Sequence, residues 1–231
     1  MSCSRICRMH PVTDALIGIR PDDAKALAAI ARRQVAWDAR MPARVVGRPS
    51  ALGIYTAPPM DVVAFVAVPT TTPISASVDV TVSLASLAIE LDRVIETGDG
   101  LDLAALQEVR VPVTKSASVA LLPPADGWQL PMFALSGDLV PQVDAAVDEF
   151  TRRTKGLSQR AQQEIADEIW ERNAWAGLSM RVLHAARRLG LLAQDSSRVA
   201  AATCGPWRRL STARGQVFAR AAGRVDLSLL G

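Results

Sequence analysis

The spacing of apolar positions changes several times along the chain, and each change marks an element. From Pro21 to Arg40, Leu27, Ile30, Gln34 and Trp37 recur at helical spacing. Pro21 suits a first helical turn, Asp22 and Asp23 complement the N-terminal dipole, and Pro42 stops the helix. Between Arg44 and Val82 the period shortens. ARVV, ALGIYTA, DVVAFVAVP and SVDVTV are strand-like runs separated by Gly and Pro. Val78, Val80 and Val82 alternate cleanly, while Val62 to Val68 is nearly all apolar, as in a strand covered on both faces. Ser83 then caps a helix carrying Leu84, Leu87, Ala88, Leu91 and Val94, which Gly98 closes.

Asp102 to Glu108 predicts a short helix, VRVPV returns to extended chain, and LLPPADGWQLP is a Pro-rich loop anchored by Trp128. From Asp138 onward the chain is helical. Val143, Val147 and Phe150 form one face, and Ser158 caps a helix with Ile165, Ile169 and Trp170 inside. A third helix is expected over Trp175 to Leu189, with Trp175, Leu178, Val182, Ala186 and Leu189 facing in. SRVAAATC, PWRRLS and GQVFAR close the chain as strands, with a tight turn at Gly205 and Pro206. No internal repeat of fixed period is visible.

The order predicts an α+β fold. A strand-rich N-terminal half with flanking helices precedes a three-helix segment ending in a basic β-hairpin or three-stranded meander. Charge and period both change near residue 137. The expected division is a flexible tail at 1–10, an α+β region at 11–137, and a helical region with the basic hairpin at 138–231; one continuous domain is also compatible. A chain of 231 residues buries enough surface to fold without staples. The N-terminal MSCSRICRMHPVTD has no secretory signal pattern, and residues 1–8 read as an extension or an over-long start. No apolar run is long enough for a membrane span, and three cysteines fit a reducing cytoplasm.

Charge adds a direction. Residues 151–231 hold 14 basic and 6 acidic side chains, and residues 1–150 hold 12 and 17. Codon bias accounts for 23 arginines against 3 lysines, but not for this separation.

Catalytic patterns are sparse. GxGxxG, the P-loop, GxSxG, HExxH and SxxK are all missing, so dinucleotide, P-loop and serine-hydrolase chemistry lose their simplest support. The two histidines, His10 and His184, occupy a tail and a polar helix stripe. Cys3, Cys7 and His10 offer three soft ligands, and a fourth for zinc must come from distant Cys204 or His184. Asp99 and Asp102 read as a turn followed by a cap, and Asp61 and Asp79 lie in the strand region with nothing to bring them together. The expectation is therefore no catalytic centre, no cofactor and no metal.

The dense constellation is C-terminal. Between Arg172 and Arg224 there are ten arginines and one acid, Asp195. Helix, turn through Asn173 to Gly177, helix and basic hairpin resemble a winged helix-turn-helix. That resemblance implies that Arg181, His184, Arg187 and Arg188 face a duplex, that Arg208, Arg209 and Arg214 lie on or near a wing, and that Trp207 packs the hairpin. Three departures stand against it: Asn173 replaces the usual small residue, GQVFAR continues as a strand, and RLG before a hairpin is common elsewhere. The plain alternative is a helix on a small sheet with a solvated arginine face. Five tryptophans and the acidic and basic halves also suit docking between proteins, including a homodimer.

LLPPADGW, RRLGLL and PWRRLSTARGQVFAR are similar to segments of an uncharacterised family of high-GC actinobacteria. The resemblance covers the C-terminal half and implies no activity. The expected function is binding or assembly in the cytoplasm, through a basic face (Arg181, His184, Arg187, Arg188, Trp207, Arg208, Arg209 and Arg214) and an acidic protein or nucleic-acid partner. A winged-helix DNA binder is the first alternative, and an enzyme without a local motif is the second.

Overall fold

A computed structural model of the chain describes residues 16–75, 77–111 and 118–221. The expected tail at 1–10, with Cys3, Cys7 and His10, lies outside them. The first half runs β1 (Leu16–Ile17), α1 (Pro21–Val35), β2 (Pro42–Arg48), β3 (Ala51–Thr56), β4 (Val63–Pro69), β5 (Asp79–Ser83), α2 (Leu84–Thr97) and β6 (Leu101–Asp102). The second runs β7 (Gln129–Leu135), α3 (Ser136–Thr154), α4 (Gln159–Trp170), β8 (Asn173–Trp175), β9 (Leu178–Ser179), α5 (Met180–Leu189), β10 (Arg198–Cys204), β11 (Trp207–Thr212) and β12 (Gly215–Arg220). With five helices and one large antiparallel sheet, the fold is α+β.

Local chemistry explains most boundaries. The Ser158 hydroxyl accepts from the Ala161 amide at the start of α4, and Gly98 and Gly190 close α2 and α5 in the left-handed region. Asp102 caps only a 3-10 turn at Leu103–Ala105, where a short helix was expected. The helix expected from Trp175 starts instead at Met180. Ala176 and Gly177 both have positive φ, and that turn folds the preceding residues into the β8–β9 hairpin. The segment read as a Pro-rich loop enters β7 at Gln129, where Pro131 is tolerated because β7 is an edge strand.

Eight strands form one sheet in the order β5-β2-β3-β4-β12-β11-β10-β7. The order is palindromic in meaning. β2-β3-β4 and β10-β11-β12 are matching meanders, β5 and β7 flank them, and each flanking strand runs straight into a helix. The small pairs β1–β6 and β9–β8 correspond as well. The halves are thus related by an approximate two-fold axis at the β4–β12 seam, where Phe65, Ala64 and Val63 pair with Gln216, Val217 and Phe218. In the second half the β-α-β piece precedes the meander instead of following it.

All the core helices lie on one face of this sheet. Leu27, Leu87, Leu91, Val143, Val182 and Leu189 bury themselves on Val45, Leu52, Val66, Val199, Leu210 and Val217. The opposite face holds a smaller cluster of Val63, Trp207 and Phe218, with Tyr55, Phe65 and Trp128 against it. The C-terminal hairpin is therefore internal to the sheet, with both strands paired on both sides, and no free wing exists among the described residues.

Candidate functional site

A cleft of about 550 Å³ opens at the end of the sheet where β2 begins and β3 ends. Its walls come from the α1–β2 turn (Asp38, Arg40, Met41, Pro42), the β3–β4 loop (Ala57, Pro58, Pro59, Asp61), and Val109 to Val111 with Ser118 and Val119. Each wall is held in place. The Asp38 carboxylate accepts from the Arg40 amide at 2.9 Å, and the Asp38 carbonyl accepts from the Met41 amide at 3.1 Å. Two successive prolines stiffen the second wall, which turns through Asp61 at φ 53°. On the third, Val109 donates to the Thr81 carbonyl at 2.9 Å, and the Arg44 guanidinium reaches the Val119 carbonyl at 3.2 Å. Arg44 also grips Asp79 with two hydrogen bonds, 2.7 and 2.8 Å, which hold that carboxyl below its usual range.

The cleft combines an apolar floor with charge at its lip. Met41, Pro42, Pro58, Pro59, Val109 and Val119 supply the floor. The acids are engaged: Asp61 stands 4.0 Å from Arg181 and Asp38 stands 4.0 Å from Arg40. Arg110 is exposed and has no ion pair among the described residues, and Arg40 points almost wholly into solvent.

The eight residues singled out from the sequence do not share a face. Arg181 pairs with Glu171 and lies near Asp61. His184 is not on a polar surface stripe; its ring stacks on Trp170 at 4.3 Å. Burial, helped by the Arg188 charge, pushes its pKa down to about 4. Arg187 pairs with Asp144 at 3.4 Å, and Arg188 lies over Trp37 at 5.5 Å. Alternation along β11 sends Arg208 and Arg209 to opposite faces. Arg208 donates to the Gly205 and Trp207 carbonyls, both at 3.0 Å, while Arg209 stacks on Trp128 at 4.4 Å. Trp207 is buried in the outer cluster, and Arg214 pairs with Asp195 at 3.5 Å.

Elsewhere the charge is also used internally. Arg153 and Arg172 each bridge Glu149 and Glu168, tying α3, α4 and the entry to β8 together. These bonds hold both carboxyls down at about 2. Across α1, α2, α3 and α5, nine basic residues face nine acidic ones, so the helix layer is not a basic surface. Among the described residues no group of three or more His, Cys, Asp and Glu could hold a metal, and no helix is long and apolar enough to cross a membrane.

By sequence, residues 13–111 match a family described as Domain of unknown function (DUF8010), and residues 123–224 match Domain of unknown function (DUF8185). No curated protein matches the chain. Solved structures of similar fold include bacterial sliding clamps. The Caulobacter crescentus polymerase III beta subunit is 10% identical with a TM-score of 0.55, over 94% of this chain and 68% of that one. The Thermotoga maritima beta subunit is 10% identical with a TM-score of 0.52, over 92% and 66%. The Helicobacter pylori beta clamp bound to a DNA ligase peptide is 9% identical with a TM-score of 0.50, over 94% and 70%. The fold is clamp-like. The chain spans about two thirds of the length of these clamp subunits. Of the cleft walls only Asp61 was singled out from sequence; the rest was not, because the walls combine three segments far apart in the chain. Their only local signal is the Pro58–Pro59 pair between two strand-like runs.

Proposed function

We propose that the protein is a non-catalytic assembly protein whose cleft holds an extended, acidic segment of a protein partner. One observation carries this reading: an apolar floor of Met41, Pro58, Pro59, Val109 and Val119 lies between two outward arginines, Arg40 and Arg110. Apolar side chains of a bound segment fill such a floor, and carboxylates meet the guanidinium groups at the lip. The clamp-like fold supports it, since the H. pylori clamp of that fold carries a DNA ligase peptide.

The test is selection of random displayed peptides on the immobilised full chain. Enriched sequences should mix apolar residues with Asp or Glu. Arg40→Glu with Arg110→Glu should weaken them by about tenfold or more, roughly 1.4 kcal/mol. Enrichment of basic peptides, or binding that survives the charge reversal, refutes the reading.

A nucleic-acid partner is the second reading, favoured by α5, which carries Arg181, Arg187 and Arg188 and no acid. Ion pairs to Glu171 and Asp144 occupy two of the three and place it second. Anisotropy of labelled duplex across a salt series decides it: binding that weakens steeply with salt supports it, and no binding at low salt removes it.

A further inference from the structure

The two ends of the sheet are treated differently. At β5 the edge is closed by the chain itself: Ser83 donates to the Gln107 carbonyl at 2.8 Å, Val109 donates to Thr81 at 2.9 Å, and Val82 bridges Glu108. At β7, the counterpart under the approximate two-fold, β10 pairs on one side and no strand pairs on the other among the described residues. An open edge displays a row of backbone donors and acceptors, and proteins guard it with charge, proline or a bulge. The strand QLPMFAL carries no charge; Pro131 and a register shift against β10 interrupt its first half, but residues 132–135 pair regularly with β10, and Met132 (52% exposed), Phe133 (52%) and Leu135 (46%) stand in solvent.

We propose that β7 is a self-association edge, pairing antiparallel with β7 of a second copy of this chain. Three observations select that occupant. First, the molecule already joins its halves this way. The β4–β12 seam is antiparallel pairing about an approximate two-fold axis, and a β7–β7 seam continues the same sheet by the same operation. Second, the strand is its own chemical complement. Register with β10 sets Phe133 and Leu135 on the outer face, beside Ala200 and Arg198, and Met132 on the helix face, beside Ala201. A perpendicular two-fold axis keeps each set on its own face, so apolar side chains meet apolar ones and no charge is buried. Third, the closed β5 edge leaves no acceptor for a head-to-tail chain of copies. The association is therefore isologous and stops at two. Arg198, whose guanidinium lies 3.8 Å from the Phe133 ring, covers one face of that ring and leaves its edge to the partner.

The experiment uses the full chain. Sedimentation equilibrium across a wide concentration range should give twice the chain mass of 24.7 kDa. Hydrogen exchange should show amides of residues 132–135 becoming protected as concentration rises. Met132→Lys with Phe133→Asp should abolish the dimer and that protection while the circular dichroism is unchanged. The dimer should persist in Arg40→Glu with Arg110→Glu, which separates this inference from the cleft. A monomer at every concentration overturns it, as does a dimer that survives the β7 variant. Should that variant fail to fold, exchange on the unaltered chain decides alone, and concentration-dependent protection mapping anywhere but β7 overturns the proposal.

Discussion

His184→Phe offers a direct test of how α5 is packed. In the native fold the imidazole stacks on Trp170, Nδ1 is buried with no hydrogen-bond partner, and Arg188 adds like charge. Burial without a partner and the Arg188 charge disfavour the imidazolium, and the pKa falls from 6.5 to about 4. The sign follows. The unfolded chain takes up a proton near pH 6.5 and the folded chain does not, so stability present above pH 6.5 is lost as pH falls toward 4. The full shift corresponds to roughly 3 kcal/mol; the ring is only part-buried, and solvent screening reduces this to about 1–2 kcal/mol. Phenylalanine keeps the aromatic stack and removes the titration. Urea denaturation followed by tryptophan fluorescence, at steps from pH 7.5 to 4, should show the native chain losing that amount relative to the variant. Glu149 and Glu168, held at about 2, weaken both proteins equally once pH drops below 4.5 and cancel in the comparison. Parallel pH profiles, or a histidine resonance from position 184 titrating near 6.5, refute this account of the packing.

Gly215→Ala should cost about 2 kcal/mol or more in urea denaturation: φ is 151°, and an added Cβ would lie 2.7 Å from the Phe65 carbonyl across the seam. A loss under half that value means that the seam yields easily. Gln34→Leu should raise stability by about 1 kcal/mol, because Gln34 is buried, its Oε1 has no partner among the described residues, and the surrounding Leu27, Ile54, Leu87 and Leu91 are apolar. Destabilisation would instead reveal a water bound between Gln34 and Thr56.

Period carried most of the secondary structure. The strands at ARVV, ALGIYTA, DVVAFVAVP, SRVAAATC, PWRRLS and GQVFAR, and the helices capped by Ser83 and Ser158, all stand where alternation or helical spacing placed them. The approximate two-fold was illegible because the β-α-β piece is permuted between halves, which erases any fixed repeat. The β8–β9 hairpin was hidden by Trp175 and Leu178, which are apolar at helical spacing yet flank a left-handed turn. The grouping of Arg208 with Arg209 ignored a signal already present: neighbours on a strand face opposite ways. β7 also left a trace. Its seven uncharged residues around Pro131 describe an edge strand, though nothing in sequence says that the edge stays open.

Holding a polyanion requires cations that are free to exchange their counterions for phosphate. In the helix layer Arg32 is committed to Asp92, Arg93 to Glu90, Arg153 to Glu149 and Glu168, and Arg187 to Asp144. These pairs, within helices and between them, leave little net field. Among the outward arginines, Arg40 and Arg110 stand beside the cleft. A fold is a scaffold on which loops and edges place function. On the proposed readings, recognition lies at the cleft lip and the β7 edge, and a protein segment is the partner of each. Charge reversal at Arg40 and Arg110 therefore ought to weaken partner binding by about tenfold or more while leaving the molecule's stability within about 0.5 kcal/mol, since neither arginine holds the fold together.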